Sequence, residues 1–251
     1  MKFNNENIWI IGASSGIGRQ LAIGLSKCGA NLILSARNQE LLADLSDKLG
    51  VNNQIFPLDV SDSKAMKVTI TKVFAQYKTI DRIIFMAALY DPKSIKEIKE
   101  DFVEQLMQVN LIAPINLAIN VLPYLEKQSK SQIVFCCSVA GYTGLPIGQP
   151  YSSSKAGLIN FVESLYAESP ENIDIKIINP GFVKTSMTDM NNFTMPMIIS
   201  SQDAADRIIA GLNSIRFEIY FPTLFVLIMK FLRILPYKIK LFVKKRAILT
   251  Q

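Results

Sequence analysis

The sequence predicts an α/β fold built on a doubly wound parallel sheet, a single domain followed by an apolar and basic helical tail. Three observations carry this. Short, nearly continuous apolar runs alternate with helix-length amphipathic stretches, the pattern of strands buried on both faces and joined by crossover helices. A glycine-rich turn follows the first run and opens at once into a helix-like stretch. The length, 251 residues, suits one α/β domain.

The apolar runs are 8–11, 32–34, 55–58, 83–86, 133–136 and 173–178, each read as a buried strand. Helix-length stretches fall between them at 16–28, 39–49, 61–77, 102–127 and 151–168. Gly29, Gly50, Pro170 and Pro180 stand at or just beyond the ends of these elements, where helix terminators and breakers belong. A last run, 217–221, adds an edge strand before Pro222. The main domain is therefore expected at 1–221 and the tail at 222–251. Residues 1–7 are polar and the run at 8–11 is too short for a signal-peptide core, so no targeting segment is expected.

Composition removes much of the chemical repertoire. The chain has no histidine, so it has no imidazole relay, no His-ligated zinc and no side chain whose ordinary pKa lies near neutrality. Three cysteines are too few for an all-thiolate zinc site and make no even disulfide framework, so no metal is expected and a reducing, cytoplasmic setting is. The net charge of +6 is localised. Seven of the 27 basic residues and one of the 21 acidic ones lie from Phe217 onward, which leaves the first 216 residues neutral. A neutral body with one cationic end lacks the footprint of a nucleic-acid-binding module, so no nucleic-acid partner is expected.

Chemistry enters at the first turn, Gly12-Ala13-Ser14-Ser15-Gly16-Ile17-Gly18. A strand, a glycine turn and a helix N-terminus gather unpaired backbone N–H groups and a positive dipole end at one point, which suits a pyrophosphate. After the second strand, the place where an acid would bind an adenosine ribose 2′-hydroxyl is held by Ala36 and followed by Arg37. Arg37 can pair with a 2′-phosphate, which favours NADP(H) over NAD(H). Tyr151 and Lys155 stand at i and i+4, one above the other on a helix face. A cation beside a phenol favours the phenolate and is expected to lower its pKa. Ser138, thirteen residues before Tyr151, ends the fifth strand, and strand C-termini are where such sheets hold ligands.

Taken together, these residues resemble the short-chain dehydrogenases/reductases, in the branch of single-domain enzymes of this size. The glycine turn, Asp59-Val60, Asn110, Ser138, Tyr151, Lys155 and Pro180-Gly181 occur in the family's order across 7–221. The resemblance implies a Rossmann-type sheet and a set of roles. Tyr151 would exchange the substrate proton and Ser138 would hydrogen-bond the substrate oxygen. Lys155 would bind the nicotinamide ribose while lowering the Tyr151 pKa, and Asn110 would support a water-linked proton relay. Gly12, Ser14, Ser15, Gly16, Ile17 and Gly18 would hold the pyrophosphate, with Ala87 beside them. Asp59 and Val60 would face the adenine, and Pro180, Gly181, Val183 and Thr185 the nicotinamide.

The chain departs from the family pattern in two linked places. Ile11 takes the position of a Thr before the first glycine, and Phe85-Met86-Ala87-Ala88 replaces an Asn-Asn-Ala-Gly segment. Losing polar groups on both sides leaves no orphaned partner, so packing is expected to substitute for polarity. The stretch 182–200 holds Met187, Met190, Phe193, Met195, Met197, Ile198 and Ile199, an adaptable apolar lid that points to a lipophilic carbonyl or alcohol substrate. In the tail, 223–235 is apolar but too short to span a bilayer, and 237–246 mixes cations with apolar residues. Two partners fit it: an anionic membrane surface on the cytoplasmic face, or a second subunit of a homodimer or homotetramer. The activity implied is NADP(H)-dependent hydride transfer. The alternative, a non-catalytic NAD(P)-binding regulator or membrane scaffold, gives no physical reason for retaining Asn110, Ser138, Tyr151 and Lys155 together. A sugar-nucleotide epimerase would need a substrate domain for which little chain remains after Pro180.

Overall fold

The computed structural model describes residues 3–249, with the side chains of 247–249 excepted, so residues 250–251 of the tail lie outside the described residues. Seven parallel strands form one sheet in the order β3-β2-β1-β4-β5-β6-β9. They are β1 (Asn7–Ile11), β2 (Asn31–Ser35), β3 (Asn53–Ile55), β4 (Arg82–Phe85), β5 (Ser131–Cys136), β6 (Ile173–Pro180) and β9 (Glu218–Phe221). The order reverses between β1 and β4, and the crevice beyond their C-terminal ends is the switch point of a doubly wound sheet.

Alternation along β1 shows why the runs are continuous. Ile8 and Ile10 pack into one core layer and Trp9 and Ile11 into the other, all fully buried. On the first face lie α1 (Gly16–Lys27), α2 (Gln39–Leu49) and α7 (Ser201–Leu212), with Leu21, Leu25, Leu42, Leu45, Ile208 and Leu212 turned inward. On the second lie α3 (Ser63–Gln76), α5 (Ala113–Leu125) and α6 (Gln149–Glu168), through Met66, Ile70, Leu117, Val121, Leu158 and Val162. Ile11 stands opposite Phe85 in the β1–β4 register, and both are buried in one apolar cluster. That pairing is the packing expected in place of the polar residues.

Several boundaries differ from the sequence reading. The third strand is Asn53–Ile55, upstream of the expected 55–58; Pro57 lacks the N–H a ladder needs, although Phe56 and Leu58 still donate to the Leu34 and Ala36 carbonyls. The long helix expected at 102–127 begins at Glu100 as α4 (Glu100–Met107) and passes through a π turn at Gln108–Ile112 before α5. Helix α7 follows a two-stranded parallel pair, β7 (Val183–Lys184) and β8 (Ile199–Ser200). The tail forms α8 (Thr223–Ile234) and α9 (Tyr237–Leu249), and α8 buries Val226 and Met229 in the main core.

At the N-terminal end of the sheet, away from the switch point, Arg82 ties three layers together. Its guanidinium donates to both Glu6 carboxylate oxygens (2.6 and 3.2 Å), to Gln132 (2.8 Å), to the Leu212 carbonyl (3.0 Å) and to Asn213 (2.7 Å). Arg82→Ala orphans these acceptors, and urea unfolding should show a loss of roughly 2–4 kcal/mol with dinucleotide binding unchanged.

Candidate active site

Beyond the C-terminal ends of β1, β4, β5 and β6 lies one cleft of about 410 Å³, within the range that suits a small molecule or cofactor. Its floor is the turn from β1 to α1. Gly12 has φ of +97°, and a Cβ there would lie 2.6 Å from the backbone nitrogen of Ala87 at the end of β4. A Cβ on Gly18 would lie 2.2 Å from the Gly12 carbonyl oxygen. Both positions demand glycine, because neither obstacle is a side chain that can move aside. The N-cap residue of α1, Ser15, makes no side-chain capping bond, and the first turn carries no acid. The donors of that helix end face the cleft without a competing anion, the arrangement that binds a phosphate.

At one end of the cleft stand Ala36, Arg37 and Asn38. Arg37 is exposed, while the Asn38 side chain caps α2 by accepting from the Leu41 N–H (2.9 Å). Asp59 and Val60 line the same end; Asp59 holds its own turn by accepting from the Ser61 N–H (2.9 Å) and hydroxyl (2.7 Å). At the other end are Ser138, Tyr151, Lys155, Pro180, Gly181, Val183 and Thr185. Helix α6 carries Tyr151 and Lys155 one turn apart, and Pro150 in its first turn sets where that helix begins. Ser138 caps the short turn after β5, its Oγ accepting from the Ala140 N–H (3.1 Å).

The electrostatics of this end differ from the sequence expectation. Burial pushes the Tyr151 phenol well above the usual tyrosine range, and a hydrogen bond with Ser138 pulls the other way and is outweighed. The Lys155 Nζ donates to the Cys136 carbonyl (2.8 Å) and lies 5.7 Å from the Tyr151 ring centroid. Burial also pushes the Lys155 ammonium below its ordinary value. The expectation that Lys155 holds the phenol below its normal pKa is therefore corrected: removal from water sets the direction, and at neutral pH Tyr151 is a phenol.

Of the sequence-predicted set, Gly12, Ser14, Ser15, Gly16, Ile17, Gly18, Arg37, Asp59, Val60, Ala87, Ser138, Tyr151, Lys155, Pro180, Gly181, Val183 and Thr185 all line this cleft. Asn110 does not. It is fully buried behind the cleft in the π turn, where its Oδ1 accepts from the Leu89 N–H (2.7 Å). Its Nδ2 donates to the Leu89 carbonyl (2.8 Å) and to Ser154 Oγ (3.3 Å). The amide thus braces the backbone that follows β4. Sequence reasoning missed Leu89, Val109, Cys136 and Thr188 in the lining, along with Tyr90, whose ring meets Tyr151 edge-on at 4.9 Å. The Tyr90 hydroxyl donates to Asn191 (2.7 Å), tying the residues after β4 to the loop after β7. A readable signal existed only for Thr188, three residues after Thr185; the others depend on contacts between distant segments.

Residues 6–195 match the family model described as short chain dehydrogenase. The chain belongs to the short chain dehydrogenase family. Among its relatives, an uncharacterized oxidoreductase of Myxococcus xanthus is 29% identical over 231 residues, covering 90% of this chain and 91% of that protein. The 3-oxoacyl-(acyl-carrier-protein) reductase FabG of Escherichia coli is 29% identical over 189 residues, 75% of this chain and 78% of that one. In structure, a short chain dehydrogenase/reductase from Burkholderia phymatum in complex with NAD superposes with a TM-score of 0.83 over 92% of this chain and 93% of its own, at 19% identity. A short chain dehydrogenase from Shigella flexneri complexed with NADP gives 0.75 at 27% identity, over 80% and 88%. The protein is accordingly an NAD(P)-dependent oxidoreductase of this family, a hydride-transfer enzyme working with a nicotinamide cofactor.

One consequence of the burial at Tyr151 is directly measurable. The ultraviolet phenolate signal of the wild-type chain minus that of Tyr151→Phe should show no ionisation below pH about 10, the ordinary tyrosine value. A difference signal appearing near neutrality would restore Lys155 as the dominant influence.

Proposed function

We infer that this dehydrogenase uses NADP(H) and acts on a lipophilic carbonyl or alcohol, with Tyr151 exchanging the proton on the substrate oxygen. The observation that carries the reading is the convergence of Ser138, Tyr151 and Lys155 at one end of a cleft whose other end presents the glycine turn and Arg37. When bound, the cofactor supplies the hydride; the chain supplies position, polarity and exclusion of water. Gly12, Ser14, Ser15, Gly16, Ile17 and Gly18 would hold the pyrophosphate on the donors of α1. Arg37 would pair with a 2′-phosphate, with Ala36 in place of an acid that would repel it. Asp59 and Val60 border the adenine side, and Pro180, Gly181, Val183 and Thr185 the nicotinamide side.

At the reacting end, a phenol that burial keeps protonated is suited to donate to the oxygen of a carbonyl as it gains electrons. Ser138 Oγ accepts from the Ala140 N–H, and its hydroxyl, which in this structure is directed to Tyr151, would turn its hydrogen to that same oxygen. The Lys155 cation on the next turn stabilises the phenolate left behind. These roles favour carbonyl reduction at neutral pH. The lipophilic substrate is supported by the loop after β6, where Met190, Met197 and Ile198 are exposed and Phe182 and Phe193 meet at 5.8 Å. The named substrate of the E. coli relative, a 3-oxoacyl chain, is a carbonyl of that kind. Free Cys28, Cys136 and Cys137 support a reducing compartment such as the cytoplasm, and exposed Ile119 of α5, with exposed Ile112 in the π turn before it, supports a homo-oligomeric contact there.

The assay is NADPH oxidation with a panel of ketones and aldehydes. Tyr151→Phe should lower kcat at least about a hundredfold while leaving NADPH affinity nearly unchanged; wild-type turnover in the variant would remove Tyr151 from the chemistry. Arg37→Asp should shift the NAD-to-NADP ratio of kcat/KM about tenfold or more toward NAD, the worth of one lost charge-assisted bond. An unchanged ratio would reject the 2′-phosphate contact.

A further inference from the structure

The two helices after the last sheet strand carry apolar surface that the fold does not use. Helix α8 turns Val226 and Met229 into the core, and its first turn sets Phe225 against Phe182, ring centroids 5.4 Å apart, beside Gly181 of the cleft. On its other side Leu224, Leu227, Ile228 and Phe231 recur at i, i+3, i+4 and i+7, each at least 44% exposed, and Ile234 continues the stripe. Helix α9 rests on the body through Lys244, which donates to Thr143 Oγ1 (2.5 Å) and to the Gly144 carbonyl (2.6 Å) in the segment after Ser138. It leaves Tyr237, Ile239, Leu241, Phe242 and Val243 exposed, spread around the helix among its cations.

Charge narrows what can cover this face. Arg233, Lys238 and Lys245 are exposed among these apolar side chains. The one acid from Phe217 onward, Glu218, is engaged by Tyr142, Asn179 and Lys230. A second copy seated face to face here would bring together two sets of the exposed cations Arg233, Lys238 and Lys245, with no acid on either pair of helices to offset them. A nucleic acid would satisfy the cations and leave the apolar side chains in water. An anionic bilayer satisfies both at once, with apolar side chains in the acyl boundary and cations at the headgroups. Neither helix spans: at 12 and 13 residues they are about 18 and 20 Å long against a hydrocarbon core of about 30 Å. Among the described residues, the helical run long and apolar enough to cross a membrane is Glu100–Leu125. It is a core helix, with Leu106, Leu117, Val121 and Leu125 fully buried.

We propose that α8 and α9 form a docking surface for an anionic lipid bilayer and lie in its interface. The proposal needs only this surface and stands apart from the identity of the substrate. Through Phe225 and Lys244, docking would bring the two segments that border the reacting end of the cleft next to the lipid.

Flotation of the full chain with vesicles tests it. The chain should float with vesicles containing phosphatidylglycerol, stay behind with pure phosphatidylcholine, and be largely released by high salt. Leu227→Ser with Phe231→Ser should weaken binding about tenfold or more. Lys238→Glu with Lys245→Glu should do the same. NADPH affinity at the wild-type level shows that each variant is folded. A full chain that ignores phosphatidylglycerol vesicles overturns the proposal, as do variants that float like wild type. A Leu227→Ser, Phe231→Ser chain that elutes as a smaller oligomer than wild type would give the face to a second copy instead.

Discussion

The site depends on one close approach. At Gly12 the backbone leaving β1 passes so near the end of β4 that a single added carbon would collide with the Ala87 nitrogen. That contact lets the chain turn at the point where the sheet order reverses, and it sets the N-terminus of α1 over the crevice. Gly18 makes the same concession six residues later, in the first turn of α1, allowing the helix to start directly above the Gly12 carbonyl. The neighbouring β1–β4 pair is held by Ile11 against Phe85, apolar on both sides, so the turn is positioned by packing. A cleft built in this way presents backbone donors, which bind phosphate without a side-chain charge.

The absence of histidine is answered at the other end of the cleft. In the proposed reaction Tyr151, Lys155 and Ser138 would supply an acid, a cation and an orienting hydroxyl. Their electrostatics follow burial: the phenol is pushed up and the ammonium down, each toward its neutral form. The excess charge of the chain serves a different region. It sits on two helices outside the sheet that carry no acid, and the nearby Glu218 of β9 is taken up by Tyr142, Asn179 and Lys230, so the outer surface of the tail is cationic and apolar together.

Much of this was legible in the sequence because the physics involved is local. Strands buried on both faces must read as apolar runs, a strained turn must carry glycine, and an i, i+4 pair must share a helix face. What was not legible depends on distant contacts or weak periodicity. Helix α7 is a different case: Ala204, Ala205, Ile208 and Leu212 recur on one face and Ser200 accepts from the Asp203 N–H as a start signal, so it was readable although absent from the sequence reading. The third strand was misplaced because its residues are largely exposed and the apolar run beside it contains Pro57. Asn110 was assigned by its order in the chain, but its bracing of Leu89 across 21 residues appears only in three dimensions. The direction of the Tyr151 shift was also inaccessible, since a Tyr–Lys spacing specifies the cation and says nothing about how far water is excluded.

The single tryptophan offers the most direct test of the central claim, that the Gly12 turn is the floor of a dinucleotide site. Trp9 lies in β1, three residues before Gly12, fully buried, with its indole nitrogen donating to Ser35 (2.9 Å). Titrating NADPH into the full chain should quench Trp9 emission and produce sensitised nicotinamide emission. In Gly12→Ala that energy transfer should be lost while the circular dichroism of helices and strands stays intact. A folded Gly12→Ala chain that binds NADPH as tightly as wild type, with the same energy transfer, would contradict the account.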